Sequence, residues 1–173
     1  LKCLTLADGQ EQTLVQFEGP VHGLDLHHGK GWVAVGAPCR DQAARCPVVL
    51  DINTGTQLLA LPKHRATVSD VAFDPTGSHL ATASGQIARI WSLEAPHRPQ
   101  LLRGAQQTLT RVLFSPDGAL LLGQTQDSTM HIWDVTSDAL LWTLHEAWGD
   151  AWFSADGADV GVISHVDDGI TGQ

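Results

Sequence analysis

Two stretches of this 173-residue chain are copies of one another. His131-Ile132-Trp133-Asp134-Val135 lies over Ile90-Trp91-Ser92-Leu93, and upstream of them Val68 to Gly77 lies over Leu109 to Gly118. Phe73 to Phe114 is 41 positions and Trp91 to Trp133 is 42. A β-rich unit recurring at that period is one small sheet that buries its faces by stacking on its neighbours, which is the plan of a β-propeller blade.

The turn residues make the unit legible. In the best copy Leu109 to Phe114 alternates as a half-buried strand, Ser115-Pro116-Asp117-Gly118 supplies a tight turn, and Ala119 to Gln124 makes a second strand. A turn at Gln126-Asp127 leads into Thr129 to Val135, and Thr136-Ser137-Asp138 leads into Leu140 to Leu144. The preceding copy reads Val68 to Phe73, Ser78 to Ser84, Ile87 to Leu93 and Gln100 to Arg103. A weaker one reads Val21 to Leu26, Gly31 to Gly36, Val48 to Ile52 and Gln57 to Leu61, with Leu50-Asp51 in the Trp-Asp slot.

Leu1 to Leu6 and Thr13 to Phe17, around Asp8-Gly9, read as the last two strands of a unit with Leu4 in its Trp slot. Trp148 to Phe153 and Asp159 to Ser164 read as the first two strands of another. The expected division is therefore the end of a blade over 1–17, full blades over 18–61, 62–103 and 104–144, and the start of a blade over 145–173. The slots at 4, 50, 91 and 133 put the next near 174, so the chain carries about four repeats' worth of sequence. Propellers of this kind have four to eight blades, so a partial propeller or a fragment of a larger one is expected ahead of a closed four-bladed ring. A ring closes if strands from the two ends share one blade. The start at Leu1 rather than Met suggests a slice of a longer polypeptide.

Charge separates along the chain. Residues 1–111 hold all 10 Lys and Arg with 9 acids, and residues 112–173 hold 10 acids and no Lys or Arg. Phosphate backbones call for clustered cations, so nucleic acid is not the expected partner; a solvated acidic surface and docking of a basic partner both fit. No run of 18 apolar residues suggests a membrane span, and no N-terminal signal pattern is present. Cys3, Cys39 and Cys46 are too few and too irregular for a secreted disulfide framework, so free thiols and a cytoplasmic or otherwise intracellular location are expected, with a Cys39–Cys46 disulfide as the alternative.

Ile132-Trp133-Asp134, Ser115-Pro116-Asp117-Gly118, Leu80-Ala81-Thr82-Ala83-Ser84 and Ile90-Trp91 resemble the WD-repeat β-propeller family over nearly the whole chain. The resemblance implies an all-β propeller of four-stranded antiparallel blades. It also implies a buried hydrogen-bonded set of His, Ser or Thr, Asp and Trp in each unit. Here the set is incomplete: one unit keeps His64, Ser84 and Trp91 without the Asp, and the next keeps Thr125, Asp127, Trp133 and the Asp134 that follows it, with Ala105 in the His place. Stability is then expected to rest mainly on aliphatic and Trp packing between blades.

The family resemblance implies a non-catalytic platform for other proteins, including further blades of the same parent chain. Partners would land on the face rimmed by the entries to the first strands: His22, Thr67, Ser69, Thr108, Thr110 and Gln126, with Arg65, Arg111 and Trp148 beside them as the stronger anchors. His27-His28 is expected to be a solvated loop and Asp167-Asp168-Gly169 a turn rather than a calcium loop. No glycine-rich phosphate loop, nucleophile elbow or zinc-protease pattern occurs, so no metal, cofactor or catalytic set is expected. The alternative is a propeller enzyme or small-ligand binder using central carboxylates, for which Asp25, Asp70 and Asp150, with Arg111, are the candidates.

Overall fold

The structure, a computed structural model, describes residues 1–4, 11–13, 15–17, 19–36, 46–147 and 149–162, with the side chains of 2–4 and 12 left out. Sixteen strands are described, with one 3-10 turn at His28–Lys30 between two of them. A short pair comes first, β1 (Lys2–Leu4) and β2 (Glu11–Thr13). A four-stranded sheet follows: β3 (His22–His27), β4 (Trp32–Gly36), β5 (Val48–Asp51) and β6 (Gln57–Ala60). The second has β7 (Val68–Phe73), β8 (His79–Ser84), β9 (Ile87–Ser92) and β10 (Gln100–Leu102). The third has β11 (Leu109–Phe114), β12 (Leu120–Thr125), β13 (Met130–Asp134) and β14 (Leu140–Leu144). A final pair is β15 (Ala151–Phe153) and β16 (Val160–Val162).

Every described sheet is an antiparallel meander in chain order, so the described residues form three four-stranded blades between two two-stranded pairs. Of the segment expected as a strand at Thr13 to Phe17, Thr13 pairs with Lys2 and Val15 exchanges backbone bonds with Leu1, and the pairing runs on to Glu11 opposite Leu4. Val15 and Phe17 pack on the face of the first full blade with Leu1 and Leu26. The Asp167 turn and Trp148 lie outside the described residues.

Local chemistry explains why the meanders fold. Between first and second strands the same turn recurs three times, with Gly77, Gly118 and Gly157 donating N–H to the carbonyls of Asp74, Ser115 and Ser154 at 2.9 Å. Each glycine sits at φ between 64° and 74°, where a Cβ is unfavourable. After the third strand, the Asp51 carboxylate accepts the N–H groups of Asn53 and Thr54, and Asp134 accepts those of Thr136 and Ser137. The Asp that follows the Trp slot thus closes the turn into the fourth strand. The bonds from Thr54 and from Ser137 hold the Asp51 and Asp134 carboxyls below the ordinary carboxylate range.

The core lies between blades. Trp91, Leu80 and Phe73 of the second blade pack against Ala34, Val49 and Leu59 of the first. Trp133, Leu121 and Phe114 of the third pack against Ala72, Ala81 and Ile90 of the second. Burying a side chain of this size contributes roughly 1.5–3 kcal/mol.

Candidate functional site

The first strands β3, β7 and β11 lie side by side as one wall, and Trp152 and Phe153 of β15 line a groove with it. Their approach is close: a Cβ on Gly23 would stand 2.5 Å from the Asp70 Cα, so only glycine fits there. Side chains on this wall tie each blade to the next. Asp25 accepts the Leu26 N–H at 2.8 Å and, across the gap, the Phe73 N–H at 2.7 Å. Asp70 accepts the Val112 N–H at 3.0 Å, and Ser69 donates to the Leu109 carbonyl at 2.6 Å. Arg111 makes an ion pair with Asp150 at 2.8 Å. Between the third blade and the last pair, Gln124 donates to the carbonyls of Ala147 and Gly149.

Asp25, Asp70, Phe73, Arg111 and Val112 border a groove of about 420 Å³. Leu24, Asp25, Asp70, Arg111, Trp152 and Phe153 are among its lining, and Leu24 and Trp152 are each 51 % exposed. Burial raises the Asp70 carboxyl above its ordinary pKa against the Val112 and Val71 N–H groups and the Arg111 charge, while Asp25 adds to the rise. Asp25, Asp70 and Arg111 line this groove and Asp150 reaches it only through Arg111, so each candidate central carboxylate is bonded to a neighbouring blade.

The rim residues sit as follows. His22, Arg65, Thr67, Thr110 and Gln126 are exposed, and Ser69, Thr108 and Arg111 are half-buried. Thr110 is held by the Gln124 carbonyl at 3.2 Å, and the Gln126 N–H bonds the Thr108 carbonyl at 3.0 Å.

The buried polar set differs from expectation at one residue. His64 Nε2 meets Thr82 Oγ1 at 2.9 Å, and the Trp91 indole N–H donates to the same oxygen at 3.0 Å. Thr82, not Ser84, is the hydroxyl of the network; Ser84 donates to the Ala66 carbonyl at 3.0 Å. His64 Nδ1 lies 3.1 Å from the Pro62 carbonyl, so a proton on Nδ1 lets indole, hydroxyl and imidazole each find a partner. In the next unit Thr125 donates to Asp127 at 2.5 Å, away from Trp133, and lowers that carboxyl's pKa.

Two further sequence expectations need correction. Cys46 is disulfide-bonded, with its partner among side chains that are not described, so the three thiols are not all free and the support they gave to a reducing compartment falls away. His27 is not a solvated loop residue: Nδ1 accepts the Lys30 N–H at 3.2 Å and Nε2 meets the Pro75 carbonyl of the next blade at 3.1 Å. Lys30, over the Trp32 ring at 4.4 Å, donates to the Gly77 carbonyl at 2.7 Å, while His28 is exposed. These contacts were hidden in the sequence because both acceptors are backbone carbonyls 47 or 48 residues away. Among the described residues no group of three or more His, Cys, Asp or Glu could hold a metal, and no helix is long and apolar enough to cross a membrane.

The model of the WD domain, G-beta repeat, matches residues 55–92 and 98–134, each range covering the fourth strand of one blade and the first three of the next. Among curated proteins, the chain is 31% identical to Apoptotic protease-activating factor 1 of Danio rerio, over 60% of this chain and 8% of that protein. It is 30% identical to Protein LST8 homolog of Drosophila melanogaster, over 72% of this chain and 41% of that protein. WD repeat and SOCS box-containing protein 1 of Xenopus tropicalis is 30% identical over 50% of this chain and 21% of its own length. The chain belongs to the WD-repeat family, as a β-propeller segment that spans less than half the length of these relatives. The family is generally one of non-catalytic scaffolds that bind other proteins.

Proposed function

We propose that this chain is a non-catalytic protein-binding platform, the blade segment of a WD-repeat scaffold or sensor, and that its partner lands on the inner groove and the adjoining rim. The observation that carries this reading is the groove itself. Leu24 and Trp152 offer half-exposed apolar surface beside Asp25, Asp70 and the Arg111–Asp150 pair, all of which are already engaged between blades. A half-exposed Trp beside a half-buried Arg is the kind of anchor that dominates protein interfaces. Ser69 and Thr110, next in the chain to the groove residues Asp70 and Arg111, lead on to Arg65, Thr67 and Gln126 as polar contacts at the starts of the first strands. The acids of residues 112–173 favour a partner with a basic patch, whose association weakens as salt rises.

Capture of partners from an extract of the source cells with the whole chain as bait tests this. Proteins recovered by the native chain should be lost with Trp152→Ala and Arg111→Glu, checked for folding by circular dichroism. No specific protein recovered, or the same set recovered by both variants, overturns it. A groove acting on a small ligand is the second reading, favoured by the raised Asp70 carboxyl. An Asp70→Asn chain that keeps every ligand bound by the native chain removes that reading.

A further inference from the structure

Arg89 and Arg103 of the second full blade bring two positive charges together, and no carboxylate of the described residues acts on the first of them. Arg89 lies in β9, opposite Thr82 of β8 on one side and Leu101 of β10 on the other. Residues directly opposite in antiparallel strands share a face, so Arg89 emerges on the face that carries Thr82 and Trp91 and looks towards the first full blade. Arg103 continues the line of β10 two residues after Leu101, which puts it on the same face at the diagonal position, about 7–8 Å from Arg89 between backbones.

The two backbones are fixed while the two heads are left over. Arg89 is held between ladders on both sides, and the Arg103 carbonyl accepts the Trp133 indole N–H at 2.7 Å. Neither guanidinium makes a hydrogen bond or ion pair with a described residue. Arg89 Nη1 is sealed from solvent, yet Arg89 as a whole is half-buried and Arg103 is exposed, so the pair opens to the surface. Burial, with the like charge of Arg103 adding to it, lowers the Arg89 pKa, so this cation is held against both its surroundings and its neighbour.

A neutral side chain would cover Thr82 without that penalty. What a guanidinium adds is a rigid fork of donors matched to the oxygens of a phosphate, and two forks on one face can share those oxygens. A phosphate monoester carries close to two negative charges at neutral pH, which two arginines balance. Guanidinium charge is delocalised over its nitrogens, so an oxyanion at the open edge also offsets the charge carried by the sealed Nη1.

We propose that Arg89 and Arg103 form a binding site for a phosphate monoester group. The site lies on the second blade's face towards the first, and neither arginine lines the groove.

Thermal unfolding of the 173-residue chain at fixed ionic strength, with inorganic phosphate replacing chloride, tests this. The native midpoint should rise with phosphate, as it does for any ligand that binds only the folded state. Arg89→Met and Arg103→Gln should each weaken the apparent affinity by about tenfold or more, while Arg98→Gln, in the loop between β9 and β10, should leave it unchanged. Arg103→Gln keeps the carbonyl that holds Trp133, and circular dichroism checks that both variants fold. A blocked Gly-phosphoserine-Gly peptide, set against its unphosphorylated form, separates the two sources of the group. Tighter binding of the phosphopeptide than of inorganic phosphate assigns the site to a phosphorylated protein, and weaker binding assigns it to the free ion. No rise with either probe, or the same rise in either arginine variant as in the native chain, overturns the proposal. These outcomes are independent of what the groove binds.

Discussion

Trp91 and Trp133 hold the same slot in successive blades yet satisfy their indole N–H groups differently, the first on Thr82 Oγ1 at 3.0 Å and the second on the Arg103 carbonyl at 2.7 Å. Arg103 stands one repeat after Pro62, whose carbonyl ends the chain of bonds through Thr82 and His64. Both indoles are thus linked to equivalent carbonyls, one directly and one through two side chains. The direct bond is possible because Gly123 replaces Thr82 and Ala105 replaces His64, which lets the Trp133 ring sink inward. A Cβ on Gly123 would stand 2.6 Å from that ring.

Thr82→Val should destabilise the fold by about 1–3 kcal/mol, because it removes the buried hydroxyl that accepts the Trp91 indole N–H and meets His64 Nε2. Gly123→Thr, which introduces the hydroxyl that Thr82 provides one blade earlier, should also destabilise by about 1–3 kcal/mol through overpacking against Trp133 and Leu109. Urea unfolding of both variants checks the pair; a gain in stability from Gly123→Thr would contradict the account.

The two wall carboxylates should respond in opposite directions. Asp25→Ala removes acceptors from the Leu26 and Phe73 N–H groups and should cost about 1–3 kcal/mol. Asp70→Asn keeps an acceptor for the Val112 N–H and removes a charge that burial disfavours. The folded Asp70 carboxyl is raised above 3.8, so below that pH neither state is ionised and nothing is gained. Above it the unfolded chain ionises more readily than the fold, and the native residue opposes folding. Asp70→Asn should therefore raise the thermal midpoint at pH 7, with the gain fading as pH falls towards 3.8.

His131 is 3 % exposed, and burial lowers its pKa below the ordinary 6.5, against the pull of Asp127. Below pH 6.5 the unfolded chain takes up a proton that the fold resists, so stability falls as pH drops through that point. Urea midpoints at mildly acid and neutral pH should show this fall in the native chain and less of it in His131→Gln.

Arg89 Nη1 is sealed from solvent without a hydrogen-bond partner, and burial, with the charge of Arg103 adding to it, lowers the pKa of the group. Arg89→Met keeps much of the stem's packing and removes an uncompensated charge. A stabilisation of about 1 kcal/mol is expected, measured by thermal unfolding.

The second and third blades were legible because alternating apolar residues and turns with glycine or proline coincide in each copy. Val68–Phe73, Leu109–Phe114 and Leu140–Leu144 form at the expected bounds. The first hairpin was legible at Val15, which bonds to Leu1, while its continuation through Glu11-Gln12-Thr13 has no apolar alternation to reveal it. Thr82 and Ser84 could not be separated by pattern, since residues two apart on a strand share a face; only depth against His64 distinguishes them. The wall carboxylates were visible as one acid per unit, but their partners are backbone groups of another blade. The disulfide at Cys46 had no spacing signature among three cysteines.

Among the described residues the second full blade alone has a four-stranded sheet on either side of it, and its core is shared with those two neighbours. Such a stack loses order from its extremities inward. Amide deuterium uptake should accordingly be slowest around Ala81, Thr82 and Ile90 and quicken outward in both directions, making the centre of the sequence the most durable part of the molecule.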